Sequence, residues 1–175
     1  MPSGPTVDLH PISLRSARSV LGGGVLLPGR IRWHPEYPML ETMMGLSVLI
    51  QAHRASGWDE SRVPCWWMYQ LVVAGESGSR LVVGDVGFHS PPSAAGVGTP
   101  AADPVVEIGY DVVPSMRGRG IATAACVGIV ERAWRAGAAA VRADTDSDNA
   151  RSRRVLAKVG FLPQPDGSYL LERPA

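Results

Sequence analysis

A basic, glycine-containing segment at residues 113–123 carries the clearest chemical signal in the sequence. It follows an apolar stretch that is typical of a β-strand and precedes a helical pattern. A helix that begins near Gly120 has main-chain N–H groups without partners in its first turn, and these groups attract anions. Gly118 lets the backbone approach a ligand closely, and Arg117 and Arg119 add positive charge. The pattern therefore predicts a site for a phosphate or diphosphate.

Two common phosphate-binding motifs are excluded by the same residues. A dinucleotide-binding G-x-G-x-x-G motif needs a third glycine where Thr123 stands. A P-loop needs a lysine after its second glycine, whereas the only lysine of the chain, Lys158, lies far along the sequence. The alternative to an anion site is an exposed basic turn that only joins a strand to a helix.

The segment at residues 107–122 resembles the acetyl-CoA-binding core of the GNAT N-acetyltransferase superfamily. The superfamily pattern is Gln or Arg, two variable residues, Gly, one variable residue, and Gly or Ala. Arg117, Gly120 and Ala122 occupy the three defined positions. The clear resemblance extends over residues 105–162.

A second segment, at residues 148–161, strengthens the resemblance. Asn149 and Ser152 form an N-x-x-S motif, and Gly160 and Phe161 form the closing pair. This form is most similar to the branch of the superfamily that acetylates the N-termini of ribosomal proteins. Two motifs at this separation are more specific than either motif alone.

The resemblance implies an α/β (α+β) fold with a mixed, partly splayed central sheet that helices flank. In such a fold two neighbouring parallel strands part and admit the pantetheine arm of acetyl-CoA along one strand edge. Val112 and Val113 are expected to bind that arm through their main chains, and Asn149 and Ser152 are expected to flank the arm or its thioester. The diphosphate is expected on the N–H groups of the basic segment, namely Arg117, Gly118, Arg119, Gly120, Ile121 and Ala122.

The implied reaction, acetyl transfer to a primary amine, needs a base for the amine and a proton for the departing thiolate. Glu107 is the expected base, and the alternative is a salt bridge from Glu107 to an arginine such as Arg142. Ser152 is expected to hydrogen-bond the sulfur. Many members carry a tyrosine four residues before the closing Gly-Phe pair, where this chain has Leu156. A CoA-binding sensor without catalysis is therefore a second hypothesis.

The acceptor is expected to be a protein or peptide α-amino group, with a small-molecule amine as the alternative. Aromatic residues concentrate in the first half of the chain, where they either line an acceptor cleft or pack in the core. This set comprises Trp33, Tyr37, Trp58, Trp66 and Trp67. His89 is interpreted as structural, with a catalytic role near the acceptor as the alternative.

Periodicity and capping residues predict the elements that would position these side chains. In the second half they are a strand at 105–113, a helix at 120–135, a strand at 138–143, a helix from 148 or 149 to 159, and strands at 161–162 and 168–171. In the first half they are a strand at 7–14, a helix at 38–54, a hairpin of 66–74 and 80–89, and a loop at 90–104. We expect a single domain over 1–175, with an acceptor half at 1–104 and an acetyl-CoA-binding core at 105–162.

Length and charge limit the other classes of function. The chain has 175 residues, 45% of them hydrophobic, and a formal net charge of +1. That charge is too small for non-specific binding to nucleic acid. Because neither a stretch of about 20 apolar residues nor a leader-like N-terminus is present, we expect a cytoplasmic protein that does not bind membranes. A homodimer is compatible with the sequence.

No metal site is expected. Asp144, Asp146 and Asp148 imitate the opening of a calcium loop. Asn149, however, stands where that loop needs glycine, and Val155 where it needs a bidentate glutamate. The four histidines share no ligand spacing. The two cysteines, Cys65 and Cys126, are expected to pack as small hydrophobic residues.

Overall fold

Strands and helices alternate along most of the chain. The computed structural model describes residues 5–22, 31–55, 57, 64, 66–75, 78–89 and 104–174. Its elements are β1 (Asp8–Pro11), α1 (Leu14–Leu21), β2 (Ile31–Trp33), α2 (Leu40–Ala55), β3 (Met68–Ala74), β4 (Arg80–Phe88), β5 (Val105–Val112), α3 (Ile121–Arg135), β6 (Ala140–Ala143), α4 (Ala150–Val159), β7 (Leu162–Pro163) and β8 (Tyr169–Glu172). A short 3-10 helix, Pro114–Met116, lies between β5 and α3.

The strands of the described residues form one open, mostly antiparallel sheet. Their order is β1-β3-β4-β5-β6-β8-β7, and β2 pairs with β4 beside this path. Among these described strands, only the β2–β4 and β5–β6 pairs are parallel. The predicted mixed sheet flanked by helices is confirmed.

The second half of the chain agrees with the predicted elements to within about two residues at most boundaries. Helix α4 begins as expected, because the side-chain oxygen of Asn149 accepts a hydrogen bond from the N–H of Ser152 at 3.0 Å. It ends at Val159, immediately before Gly160. Local signals therefore suffice for this part of the fold.

The first half differs from the prediction at its start. The strand predicted at 7–14 ends at Pro11, and α1 follows. Ser13 explains the change, since its hydroxyl oxygen accepts a hydrogen bond from the N–H of Ser16 and caps the new helix. Strand β2 was not predicted, because three residues are too few to show an alternating pattern.

Helix α2 and the hairpin are confirmed with small shifts. The helix begins at Leu40 instead of residue 38, after a cis peptide bond between Tyr37 and Pro38. The predicted hairpin is formed by β3 and β4, with an irregular register between Gln70 and Val72. Residues 90–103 of the predicted loop lie outside the described residues, as do Cys65 and Trp58.

Strands β5 and β6 are paired over only half of β5. The register runs from Val105 opposite Ala140 to Ile108 opposite Ala143, where β6 ends. Strand β5 continues against β4 as far as Val112. Within the described part of the chain, β5 therefore has an open edge from Gly109 onward, and this edge is the predicted splay of the sheet.

Alternation along β4 and β5 gives the sheet two chemically different faces. Asp85 lies opposite Asp111, so both side chains project from one face of the sheet. Helix α2 packs on this face, where Thr42 donates a hydrogen bond to Asp85. Tyr110 projects from the other face and contacts Ser152 of α4. The open edge of β5 connects the two faces.

Buried side chains from the sheet and the helices form one hydrophobic core. Trp67 is fully buried, and Trp66 stacks edge-on against Phe88. Trp33 and Tyr37 contact each other edge to face, with ring centroids 5.3 Å apart. Cys126 is fully buried, as predicted. Over the described residues, no helix is long and apolar enough to cross a membrane, and no three metal-ligating side chains converge.

Candidate active site

The segment between β5 and α3 presents a row of main-chain N–H groups. Gly118 and Gly120 adopt positive φ angles of 76° and 80°, which glycine adopts without strain. The first hydrogen bond of α3 runs from the N–H of Ala124 to the carbonyl of Gly120 at 3.0 Å. The N–H groups ahead of it, including those of Ile121 and Ala122, have no partner within the helix. This turn can hold a diphosphate.

The two arginines of the turn have different surroundings. Arg117 folds back on β5, where its Nε donates to the carbonyl of Val112 at 2.7 Å and its Nη2 donates to Asp111 Oδ1 at 3.0 Å. Burial raises the pKa of Asp111, while the Val112 N–H and Arg117 oppose that shift. Arg119 is exposed, and its Nη2 donates to the carbonyl of Ser115 at 3.5 Å. Arg117 thus fixes the turn to the end of β5.

The main-chain groups predicted to bind the pantetheine arm point in different directions. Val113 is hydrogen-bonded within the chain at both its N–H and its carbonyl. Because these groups alternate along a strand, those of Val112 and Tyr110 point toward the open edge. The Val112 groups bond to Asp111 and Arg117. Sequence reasoning did not select Tyr110, although the same alternation indicates it.

A cleft of about 880 Å³ connects the turn at residues 117–122 with the open edge of β5. One wall, on α4, carries three cationic side chains: Arg151, Arg154 and Lys158. The wall toward α2 carries three carboxylates: Glu41, Asp85 and Asp111. The cleft is therefore positive on the α4 side and mainly acidic on the other, where Arg117 pairs with Asp111. The cationic stripe on α4 was missed, although its spacing of three and four residues is the signal for one helix face.

A second cavity, of about 840 Å³, opens between the segment after β6 and the turn between β7 and β8. It shares six lining residues with the cleft: His89, Gly109, Tyr110, Asp146, Asn149 and Ser152. We call these six residues the junction. Among the described residues, the junction is where a molecule in the cleft and a molecule in the cavity would meet.

Glu107, the predicted base, is paired with His89, one of the six residues of the junction. Its Oε1 lies 2.6 Å from Nδ1 of His89, and the side chains are 35% and 52% exposed. Arg142, the alternative partner, instead lies against Asp144 and Asp166, at 3.5 and 3.3 Å. The alternative of a Glu107–Arg142 salt bridge is therefore wrong.

Ser152 lies on the first turn of α4, facing β5. Its hydroxyl oxygen is 2.6 Å from the phenol oxygen of Tyr110. Burial raises the pKa of Tyr110 more than this hydrogen bond lowers it, so the phenol keeps its proton at neutral pH. Leu156, at the position where many relatives have tyrosine, is fully buried in the core. The side chain of Asn149 is engaged as the cap of α4.

Asp85 is a buried carboxyl on the wall toward α2, with only 5% of its surface exposed. Its Oδ2 accepts a hydrogen bond from the hydroxyl of Thr42 at 2.5 Å. Burial raises the pKa of Asp85 to about 7, the hydrogen bond opposes that shift, and Asp111 and Glu41 add to it. The charge of this wall therefore depends on pH near neutrality.

Comparison with known families bears on this geometry. The sequence model described as "Acetyltransferase (GNAT) domain" matches residues 31–162. The chain belongs to the GNAT acetyltransferase family. The match includes Glu41, Asp85 and the turn at residues 117–122. As a member of this family, the chain belongs to the class of acyl-CoA-dependent N-acyltransferases.

Solved structures share the fold of this GNAT protein. A ribosomal-protein-S5-alanine acetyltransferase from Vibrio fischeri is 16% identical, with a TM-score of 0.57 over 96% of each chain. A GNAT acetyltransferase from Brucella melitensis in complex with acetyl-CoA is 15% identical, with a TM-score of 0.55 over 97% of this chain and 90% of the other. An acetyltransferase from Agrobacterium tumefaciens is 14% identical, with a TM-score of 0.56 over 97% and 91%. No curated protein sequence matches the chain.

Proposed function

We propose that this GNAT protein transfers the acetyl group of acetyl-CoA to a primary amine, with the α-amino group of a protein or peptide as the acceptor. One observation carries the proposal. The cleft and the second cavity meet at a junction where a histidine–glutamate pair lies beside the open edge of β5 and a serine–tyrosine pair lies across it. Base and proton donor are the two functions that amide formation from a thioester requires.

In this proposal acetyl-CoA occupies the cleft. Its diphosphate binds the N–H groups of residues 117–122, and the cationic side chains of α4 add charge for its phosphates. The main-chain groups of Tyr110 at the open edge of β5 bind the pantetheine arm. Residues 105–162 then form the cofactor core, and residues 1–104 add His89 and two acidic side chains of the wall toward α2, Glu41 and Asp85. The Brucella relative, which was solved with acetyl-CoA, supports this assignment through the shared fold.

The reaction forms a C–N bond and breaks the C–S bond of the thioester. An ammonium group first loses a proton to the histidine–glutamate pair, and the free amine attacks the acetyl carbon. The nitrogen loses a second proton as the amide forms, and the departing thiolate gains one. Ser152, held by Tyr110, is placed to donate a hydrogen bond to the sulfur.

A peptide acceptor is supported by two features. The second cavity is lined largely by the polar segments 144–147 and 163–169, which leave room for an extended chain beyond its terminal amine. The N-x-x-S motif of Asn149 and Ser152 resembles that of enzymes acting on ribosomal proteins, and the Vibrio relative shares the fold.

A small cationic amine is the second candidate acceptor. The three carboxylates of the wall toward α2, Glu41, Asp85 and Asp111, favour it, because they would attract a second positive charge on the acceptor. The lining of the second cavity thus favours a peptide, whereas the acidic wall of the cleft favours a small cationic amine.

The test measures release of the CoA thiol by the purified protein with acetyl-CoA and a panel of amines. We expect release with peptides that have a free N-terminus and none with the same peptides blocked at the N-terminus. Faster turnover of short diamines than of these peptides would instead establish the second candidate. Acetyl-CoA binding in a calorimeter, without thiol release for any amine, would contradict the enzyme and favour a sensor.

A further inference from the structure

We propose that His89, and not Glu107, takes the proton from the acceptor amine, and that Glu107 positions the imidazole. This inference rests on the proposed acetyl transfer to an amine and assigns the base of that reaction to a residue interpreted from the sequence as structural. Three observations support it: Nδ1 of His89 contacts Glu107, Nε2 lies against Gly109, and His89 is open to the cleft and the cavity.

The contact with Glu107 selects the tautomer of the imidazole. An ionised carboxylate only accepts hydrogen bonds, so the 2.6 Å contact with Oε1 places the proton of a neutral ring on Nδ1. Nε2 then carries the lone pair. A base must present a lone pair to the proton it takes, and Nε2 does so while Nδ1 remains bound to Glu107.

Gly109 makes the space in which the ring lies. A Cβ built at Gly109 would collide with Nε2 of His89, so a larger residue would displace the ring. Gly109 belongs to the junction and marks the point where β5 loses β6. The reactive nitrogen therefore lies against the strand at the open edge, beside the expected thioester.

Exposure favours His89 over Glu107 as the group that meets the substrate. The side chain of His89 is 52% exposed and lines both the cleft and the cavity, whereas Glu107 is 35% exposed and lines neither. An amine in either space reaches the imidazole first. Glu107 acts through the ring, holding its orientation and stabilising the imidazolium that forms.

The proton step balances without any further reactant. An N–H bond of the acceptor ammonium breaks, its proton binds Nε2 of His89, and the imidazolium donates to Glu107 through Nδ1. The free amine then attacks the thioester carbon. The imidazolium returns its proton to solvent before the next turnover.

The experiment compares kcat for acetyl transfer among His89→Ala, Glu107→Gln and the double variant, with acetyl-CoA binding measured by calorimetry to show that each variant is folded. We expect His89→Ala to lower kcat by about 100-fold or more and Glu107→Gln by about tenfold, since the glutamine oxygen still accepts from Nδ1. The double variant should be no slower than His89→Ala alone, because the two side chains act as one unit.

Added imidazole separates catalysis from structural support. It should restore at least about a tenth of the lost rate to His89→Ala, since free imidazole supplies the missing lone pair. Gly109→Ala should resemble His89→Ala in its rate and should add no loss in the His89→Ala background. His10→Ala, on the edge strand β1, is the matched histidine control and should keep the wild-type rate.

The contrary results are distinct. A larger loss in Glu107→Gln than in His89→Ala, or a His89→Ala variant that keeps more than a third of the rate, would overturn the inference and leave Glu107 as the base. Failure of imidazole to restore the rate would also overturn it. A wild-type protein that turns over no amine would overturn both this inference and the proposed function.

Discussion

Replacement of Asp85 by asparagine should remove a strong dependence of stability on pH. The carboxyl of Asp85 is buried against α2, and its pKa is raised from an ordinary 3.8 to about 7. In the unfolded chain the group loses its proton near the ordinary value, whereas the folded chain keeps it up to about pH 7. Between these limits the folded state binds more protons, so the free energy of unfolding falls as pH rises.

The magnitude follows from the size of the shift. A shift of about three units at about 1.4 kcal/mol each corresponds to about 4 kcal/mol, present in full below about pH 4 and lost by about pH 7. Asp85→Asn cannot lose this proton and still offers an oxygen to Thr42. Relative to the wild type, the variant should therefore gain up to about 4 kcal/mol across this range.

Urea unfolding of both proteins at about one-unit intervals from pH 4 to pH 8 measures the difference directly. Groups that do not interact with Asp85 titrate alike in both proteins and cancel in the comparison, whereas Asp111 and Glu41, which raise the pKa of Asp85, contribute to the difference. Asp8→Asn is the control, because Asp8 is an exposed carboxylate paired with Arg80, and this variant should keep the wild-type slope. Parallel pH curves for the wild type and Asp85→Asn would refute the argument that burial holds the proton on Asp85.

Three further variants test other parts of the molecule. Tyr110→Phe should lower kcat about tenfold with acetyl-CoA. It should have little effect with an activated aryl thioester, because the leaving group of that donor needs no proton. Equal losses of kcat with both donors would exclude proton donation through Ser152. Lys158→Glu should weaken CoA binding, measured by calorimetry, about tenfold at low salt and less at high salt. Arg135→Glu makes the same charge change at an exposed site outside the cleft and should leave CoA binding unchanged. Leu156→Ala should lower the free energy of unfolding by about 2–5 kcal/mol in urea titration; a smaller loss would mean that the side chain is not packed in the core.

The sequence predicted the second half of the fold because its signals are local. Asn149 caps α4 from within one turn of the helix, and the glycine pair at 118 and 120 lies in the turn where the chain needs positive φ. The first half offers fewer such signals. Strand β2 has only three residues and pairs with β4, about 50 positions along the chain, so its formation depends on tertiary contacts.

The candidate site divides in the same way. The residues proposed to bind the diphosphate, 117–122, are contiguous, so sequence reasoning could select them from one segment. The partner of Glu107 could not be found by spacing, because His89 lies 18 residues earlier and the two meet through the register of β4 and β5. Val113 was selected by proximity along the chain, whereas its main-chain groups are used within the protein and those of Tyr110 face the open edge.

One strand, β5, therefore relates the two halves of the proposed chemistry. Its odd-numbered residues place Glu107, Gly109 and Asp111 on the face toward α2, and its even-numbered residue Tyr110 faces α4. Because β6 ends opposite Ile108, both faces open onto the same point of the sheet. Base and proton donor can then approach one thioester from opposite sides. A one-residue shift in the register of β5 would exchange these faces and would separate Glu107 from His89 and Tyr110 from Ser152.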